Sequence, residues 1–180
     1  MLLKLYKTIN GKTEYWITWD NQEGSQIVHW GELGSKGQTK EVKRPTAKKL
    51  LSIPSSSIPD EVVSEIEEKR KEGFAEISDD DLELLYIEYP VNGHGNIEDL
   101  DFRHELEDRM NETLGWTGIG HCDGGSKGSS SMEVFCYVVD YKMARAIVVE
   151  DLKNTKFATY SMISNDPGSE GEETSQKVLH

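Results

Sequence analysis

The sequence predicts an α+β protein of two units. The first is an antiparallel sheet with one helix over residues 1–77, and the second is a β-α-β-β-α-β unit over residues 78–163. Three observations carry this. Alternating bulky and polar residues, broken by Asn-Gly and Gly-containing turns, fill the stretch up to Lys43. Apolar residues then switch to helical spacing at three places, after Pro59, over 97–114 and over 141–154. Charge also divides abruptly: residues 1–77 hold 12 Lys+Arg and 12 Asp+Glu and so sum to zero, while residues 78–180 hold the other 8 basic and 21 acidic residues and carry the whole net charge of −13.

Leu2 to Ile9 reads as the first strand, and Asn10-Gly11 is the dipeptide a two-residue hairpin prefers, because both positions tolerate positive φ. Thr13 to Asp20 is the second strand, rich in β-branched and aromatic residues. Trp16 and Trp19 are an odd spacing apart and therefore face opposite sides. Ser25 to Trp30 and Gln38 to Lys43 complete a four-stranded meander, with Gly34 and Gly37 bracketing Ser35-Lys36 at the last turn. The apolar face needs a cover, and the helix from Pro59 to its stop at Gly73 is the one candidate. Pro59, Asp60 and Glu61 suit its first turn, and Lys69-Arg70 its last. Phe74 to Ile77 reads as a short closing strand.

The order of these strands, with Trp30-Gly31 before the glycine-bracketed turn, resembles the WGR domain, a small β-rich module best known from DNA-dependent poly(ADP-ribose) polymerases. The resemblance covers roughly residues 1–77 and implies contact between the motif tryptophan and arginine and a DNA end. Here Trp30 and Gly31 match, but Glu32 stands where the family has arginine, which exchanges attraction to phosphate for repulsion. A basic cluster of Lys36, Lys40, Lys43, Arg44, Lys48 and Lys49, opposed by Glu41, lies beside Trp30. Alternation puts Lys36, Lys40 and the indole within reach of one surface, as a nucleic-acid or partner interface needs. The same lysines also suit a solvated edge strand.

Ser78 to Asp81 is an acidic joint. Leu82 to Tyr89 is a strand ended by Pro90, Asn96 is a helix cap, and Phe102, Leu106, Met110 and Leu114 give an amphipathic helix over 97–114, closed by Gly115. Trp116 to Asp123 and Met132 to Val139 are strands flanking a glycine-rich loop over 124–131. Asp140 caps the helix Tyr141 to Asn154, and Phe157 to Ile163 is the last strand. This order is the ferredoxin-like pattern. The half also resembles small uncharacterised bacterial domains with a glycine-rich hairpin, a likeness that implies no activity. The stretch 165–173 lacks apolar residues to bury, and residues 164–180 read as a disordered tail.

Chemistry has few footholds. Cys122 and Cys136 lie symmetrically about residue 129, so a closed hairpin sets them opposite one another, able to share a ligand, form a disulfide or pack as free thiols. His121, Asp123, His94 and His104 are the remaining donors, but no paired zinc spacing such as C-x2-C occurs, so no metal is expected. Asp123, Gly124, Gly125 and Lys127 form a glycine-rich hairpin that joins two strands. A phosphate-binding loop leads into a helix instead, so these four residues read as a candidate partner-recognising hairpin tip or, more simply, as a plain long hairpin turn. Glu105, Glu107, Asp108 and Glu112 sit on a helix face as solvated carboxylates. Gly125-Ser126-Lys127-Gly128 falls one residue short of a serine nucleophile elbow.

No catalytic residue, cofactor or metal is therefore assigned. The chain reads as a non-enzymatic binding or adaptor protein whose acidic half engages a basic protein partner, one version being an immunity-type protein that neutralises a cationic toxin. Nucleic-acid binding through Trp30, Gly31, Lys36, Lys40, Lys43 and Arg44 is the alternative, weakened by Glu32. No run of about 18 apolar residues occurs, so no membrane span is expected. The lysine-interrupted start from Met1 to Lys7 carries no secretory signal, and the expected compartment is the cytoplasm.

Overall fold

A computed structural model describes residues 2–21, 24–44, 58–91, 97–128 and 130–166. Inside them the chain divides between Asp79 and Asp80 into two units, each with its own sheet. The linker residues 52–57, Lys48, Lys49, His94, the cap Asn96 and the tail over 167–180 lie outside the described residues. Ser164, which the sequence assigns to the tail, ends a strand and is buried.

In the first unit β1 (Leu2–Ile9), β2 (Lys12–Asn21), β3 (Ser25–Glu32) and β4 (Gln38–Lys43) pair in sequence order, every neighbour antiparallel. Asn10 and Gly11 both take positive φ at the first hairpin, as a type I′ turn requires. Strand β3 runs two residues past Trp30. It does so because its other neighbour, β2, is still there to pair with it, as far as Glu14 opposite Glu32. Helix α1 (Asp60–Lys71) covers one face, where Val62 and Phe74 meet Leu3, Leu5, Trp16, Val28 and Val42. The helix stops at Gly73 (φ +95°): Phe74 N–H reaches Lys69 O at 2.9 Å and Gly73 N–H reaches Arg70 O at 3.1 Å, the paired bonds of a Schellman cap. The closing strand expected over 74–77 reduces to one bridge, Ala75 with Tyr6. The chain touches the sheet edge there once and moves on.

In the second unit β5 (Glu83–Pro90), α2 (Ile97–Trp116), β6 (Gly120–Lys127), β7 (Ser131–Val138), α3 (Tyr141–Leu152) and β8 (Met162–Ser164) follow in order. The sheet order is β6-β7-β5-β8, with all neighbours antiparallel. Each helix carries the chain over a central strand, which is the split β-α-β arrangement. Residues 85, 87 and 89 of β5 and 132, 134, 136 and 138 of β7 are buried on the helix side with Leu106, Met110, Leu114, Ala144, Val148 and Leu152. Asp140 caps α3 by accepting Met143 N–H at 2.8 Å.

Three expectations fail here. Helix α2 continues through Gly115 to Trp116, because the Schellman bonds form one turn later: Ile119 N–H to Leu114 O at 3.0 Å and Gly118 N–H to Gly115 O at 3.0 Å, with Gly118 at φ +67°. The strand read from Trp116 therefore begins only at Gly120. The glycine-rich stretch expected as a loop is mostly strand, since β6 pairs with β7 as far as Lys127 opposite Met132, with a bulge between Cys122 and Gly124. The strand expected over 157–163 is confined to Met162–Ser164. Phe157 is buried in a turn instead, packed on Phe102, with its carbonyl accepting Tyr89 Oη–H at 2.7 Å. Among the described residues no helix is long and apolar enough to cross a membrane.

Candidate functional site

The Trp30 hairpin is built around Tyr15. A Cβ on Gly37 would lie 2.2 Å from Tyr15 Oη and 2.3 Å from Trp30 O, and one on Gly31 would lie 2.7 Å from Gly37 Cα. Only glycine lets the tip fold down so that Tyr15 Oη–H can donate to Ser35 O at 3.0 Å. His29 Nε2 stands 2.8 Å from the same Oη, and its Nδ1 is 2.9 Å from Thr39 Oγ1. Gln38 O lies 3.0 Å from the same Nδ1, and a carbonyl only accepts, so Nδ1 carries a proton and donates on this side while Nε2 faces the Tyr15 hydroxyl. Burial pushes the Tyr15 phenol up to about 12. Gly31 and Gly37 thus have a complete structural reason to be glycine.

The basic cluster is divided. Lys40 faces α1 and bridges Glu61 (3.0 Å) and Glu65, whose hydrogen bonds raise its ammonium above its ordinary value. Arg44 grips Asp20 at 2.7 Å and holds that carboxyl below its ordinary range. Trp30 packs against the core beneath α1 and so does not share an open surface with Lys36, which sits exposed in the turn. Lys43 is exposed on β4. Glu32 binds Lys12 at 3.2 Å. Trp30 and Lys40 do share one face, since Lys40 pairs with Val28 two residues from Trp30, but it is the face that α1 covers, and Lys36 stands apart in the turn.

The glycine-rich hairpin residues also separate. Gly125 faces α2, where a Cβ would meet Arg103 Cδ at 3.0 Å and Glu107 Oε1 at 3.1 Å, and Arg103 Nη1 donates to Gly125 O at 2.9 Å. Lys127 reaches Asp99 of α2 at 3.9 Å. Asp123 lies exposed in the bulge and Gly124 beside it. Arg103, Glu107 and Asn111 form a polar stripe at four-residue spacing, and Asn111 Oδ1 accepts Cys122 N–H at 2.9 Å. Cys122 and Cys136 are register partners and free thiols. His104 points elsewhere, exposed beside Arg103. Among the described residues no group of three or more His, Cys, Asp or Glu could hold a metal ion.

A different surface stands out. Both helices of the second unit pack on one face of its sheet, and alternation turns Leu84, Tyr86 and Glu88 of β5 and Glu133, Phe135 and Tyr137 of β7 to the other face, all half-buried. Across the strands Leu84 meets Tyr137, Tyr86 meets Phe135 and Glu88 meets Glu133. Val91 N–H donates to Ser130 O at 2.9 Å, which fixes the alternation of the ladder. These outward pairs therefore fall at the closely spaced, non-hydrogen-bonded positions, where side chains stand nearest. The Tyr86 and Phe135 rings meet edge to face at 5.2 Å, and His121 stacks on Tyr137 at 5.8 Å.

Glu88 and Glu133 have only hydroxyl partners among the described residues, Ser161 Oγ at 3.3 Å and Ser126 Oγ at 3.2 Å. Like charges directly opposite destabilise a sheet, and a cation seated between them would relieve that cost. The sequence held the signal in the outward half of two alternating strands, but only the register makes the two glutamates neighbours. No family model matches the chain, and comparison with curated proteins and with solved structures finds no significant match.

Proposed function

We propose that the chain is a non-enzymatic, cytoplasmic binding protein whose acidic half engages a basic protein through the helix-free face of its second sheet. The observation that supports this most is the register pairing of Glu88 with Glu133 beside Tyr86, Phe135 and Tyr137. Two glutamates at register-paired positions on one face can accept a guanidinium or ammonium, and the adjacent aromatic faces attract the same cation. The excess of acidic residues over 78–180 steers a cationic partner toward this half. Neutralising a cationic toxin, as an immunity-type protein does, is one partnership of this kind. Nucleic-acid binding through the WGR-like motif is less favoured, since Lys40 and Arg44 are engaged by carboxylates of their own unit.

The test is an NMR titration of the isotope-labelled full chain with an arginine-rich peptide, a glutamate-rich peptide of equal length, and a short DNA duplex. The expected result is shifts at Tyr86, Glu88, Glu133, Phe135 and Tyr137 with the arginine peptide alone, weakening steeply with salt. Shifts at Trp30, Lys36 and Lys43 with the duplex, or an unresponsive Glu88 and Glu133, would overturn the reading.

A further inference from the structure

The two cysteines of the chain sit directly opposite each other on β6 and β7, on the side of the sheet that faces the helices. Val139 N–H donates to Ile119 O at 2.8 Å, so Ile119 and Val139 form a hydrogen-bonded pair. Counting along the ladder, Cys122 and Cys136 then fall at a non-hydrogen-bonded pair. Such pairs hold Cα atoms about 4.5 Å apart, inside the window of about 4.4–6.8 Å that a disulfide spans. The outward Cys122 N–H is taken by Asn111 Oδ1, and the bulge at Gly124 (φ +119°) sits beside it, where an edge strand can take up the change in twist that a new bond imposes. We propose that Cys122 and Cys136 are an oxidative modification site, converted by a hydroperoxide into a cross-strand disulfide that ties the edge strand β6 to the centre of the sheet.

Cys122 is the attacking sulfur. It belongs to the edge strand and keeps 8% exposure, whereas Cys136 is fully buried. The Cys136 S–H hydrogen bond draws the Cys122 thiol below its ordinary value against the opposing effect of burial, and the same contact, with burial, pushes Cys136 up. In the first step the Cys122 thiolate attacks one peroxide oxygen and the O–O bond breaks. With hydrogen peroxide, the departing hydroxide takes a proton and leaves as water, and Cys122 becomes a sulfenic acid. In the second step Cys136 sulfur attacks the Cys122 sulfur, the S–O bond breaks, and a second water leaves with the Cys136 proton. Two thiols and one hydrogen peroxide thus give one disulfide and two waters.

The test treats the folded full chain with hydrogen peroxide, blocks residual thiols with N-ethylmaleimide and maps the peptides by mass spectrometry. The expected product is an intramolecular Cys122–Cys136 link, two hydrogen atoms lighter, reversed by dithiothreitol and with a higher urea midpoint than the reduced chain. In Cys136→Ser, dimedone should label Cys122, whereas in Cys122→Ser the remaining thiol should stay unlabelled. A folded chain that stays reduced while the urea-unfolded chain reacts would overturn the proposal, as would links between chains or an oxidised form less stable than the reduced one. The wild-type cross-link needs no variant, so misfolding of a serine chain leaves the test intact.

Discussion

In the first sheet Lys40 reaches two carboxylates of α1 and Arg44 reaches Asp20, whereas in the second sheet Glu88 and Glu133 stand opposite each other with serine hydroxyls as their partners. Lys40 and Arg44 are held by carboxylates of their own unit. In the second unit the basic residues Arg103, Arg109, Lys127, Lys153 and Lys156 all pair with acids borne on the helices, so none of them relieves the two sheet glutamates. The difference teaches where to look for recognition. A charge satisfied within its own unit contributes little to a partner, while a like-charged pair kept at the closest cross-strand position costs stability and calls for an outside reason.

The comparison breaks most readily at the glycines, because the motif glycines of the first sheet are explained by packing alone. Gly37→Ala places a Cβ against Tyr15 Oη and Trp30 O at φ +57°, and should cost about 3 kcal/mol or more in urea unfolding. Gly24→Ala, at φ +83° with nothing within 4 Å, should cost only about 1 kcal/mol. Equal costs at the two sites would mean that Tyr15 does not hold the tip down. Tyr15→Phe sharpens the same point. It removes the donor to Ser35 O and the partner of His29 Nε2, and should cost about 2 kcal/mol by chemical denaturation.

The meander was legible because its signals are local: Asn10-Gly11, the odd spacing of Trp16 and Trp19, and the Gly73 stop each act within a few residues. What was missed depends on distant partners. Gly115 and Gly118 look alike in the sequence, and only the bonds back to Leu114 and Gly115 choose the second as the helix end. Gly124 and Gly125 read as loop because glycine is permissive, yet Gly125 is strand, placed where a side chain would strike Arg103 and Glu107 of α2. Lys40 was grouped with Lys36 by strand alternation, whereas the carboxylates that hold it lie on α1, the next element along the chain. The Glu88 and Glu133 pair needed the β5 to β7 register, which no local pattern supplies.

Alkali tests both units at once. Burial holds Tyr6 and Tyr15 in the first unit and Tyr89 in the second above the ordinary tyrosine range, with Tyr15 at about 12. A group whose pKa is raised in the folded state contributes stability that is fully present below its unfolded value and is lost as pH rises through the folded one. Stability to urea should therefore stay flat up to about pH 10 and then fall by roughly 1 kcal/mol per pH unit for each buried phenol. Tyr89→Phe should lower stability at neutral pH by removing the bond to Phe157 O, and flatten the alkaline fall of the second unit alone.

The smallest expected change in stability is the most informative about function. Glu88→Gln and Glu133→Gln each remove one member of a like-charged cross-strand pair while keeping shape and hydrogen-bonding capacity, so either should stabilise the chain, by about 0.5 kcal/mol at low salt and less at high salt. The same changes should weaken binding of an arginine-rich peptide about tenfold or more, since each takes away a charge-assisted bond. Lys40→Met, which removes an ion pair closed within its own unit, should cost up to about 1 kcal/mol and leave peptide binding unchanged. A residue whose loss improves the fold and harms recognition is held in place by recognition. Glutamines that destabilise the chain, or bind the peptide as wild type does, would return Glu88 and Glu133 to the status of ordinary surface acids.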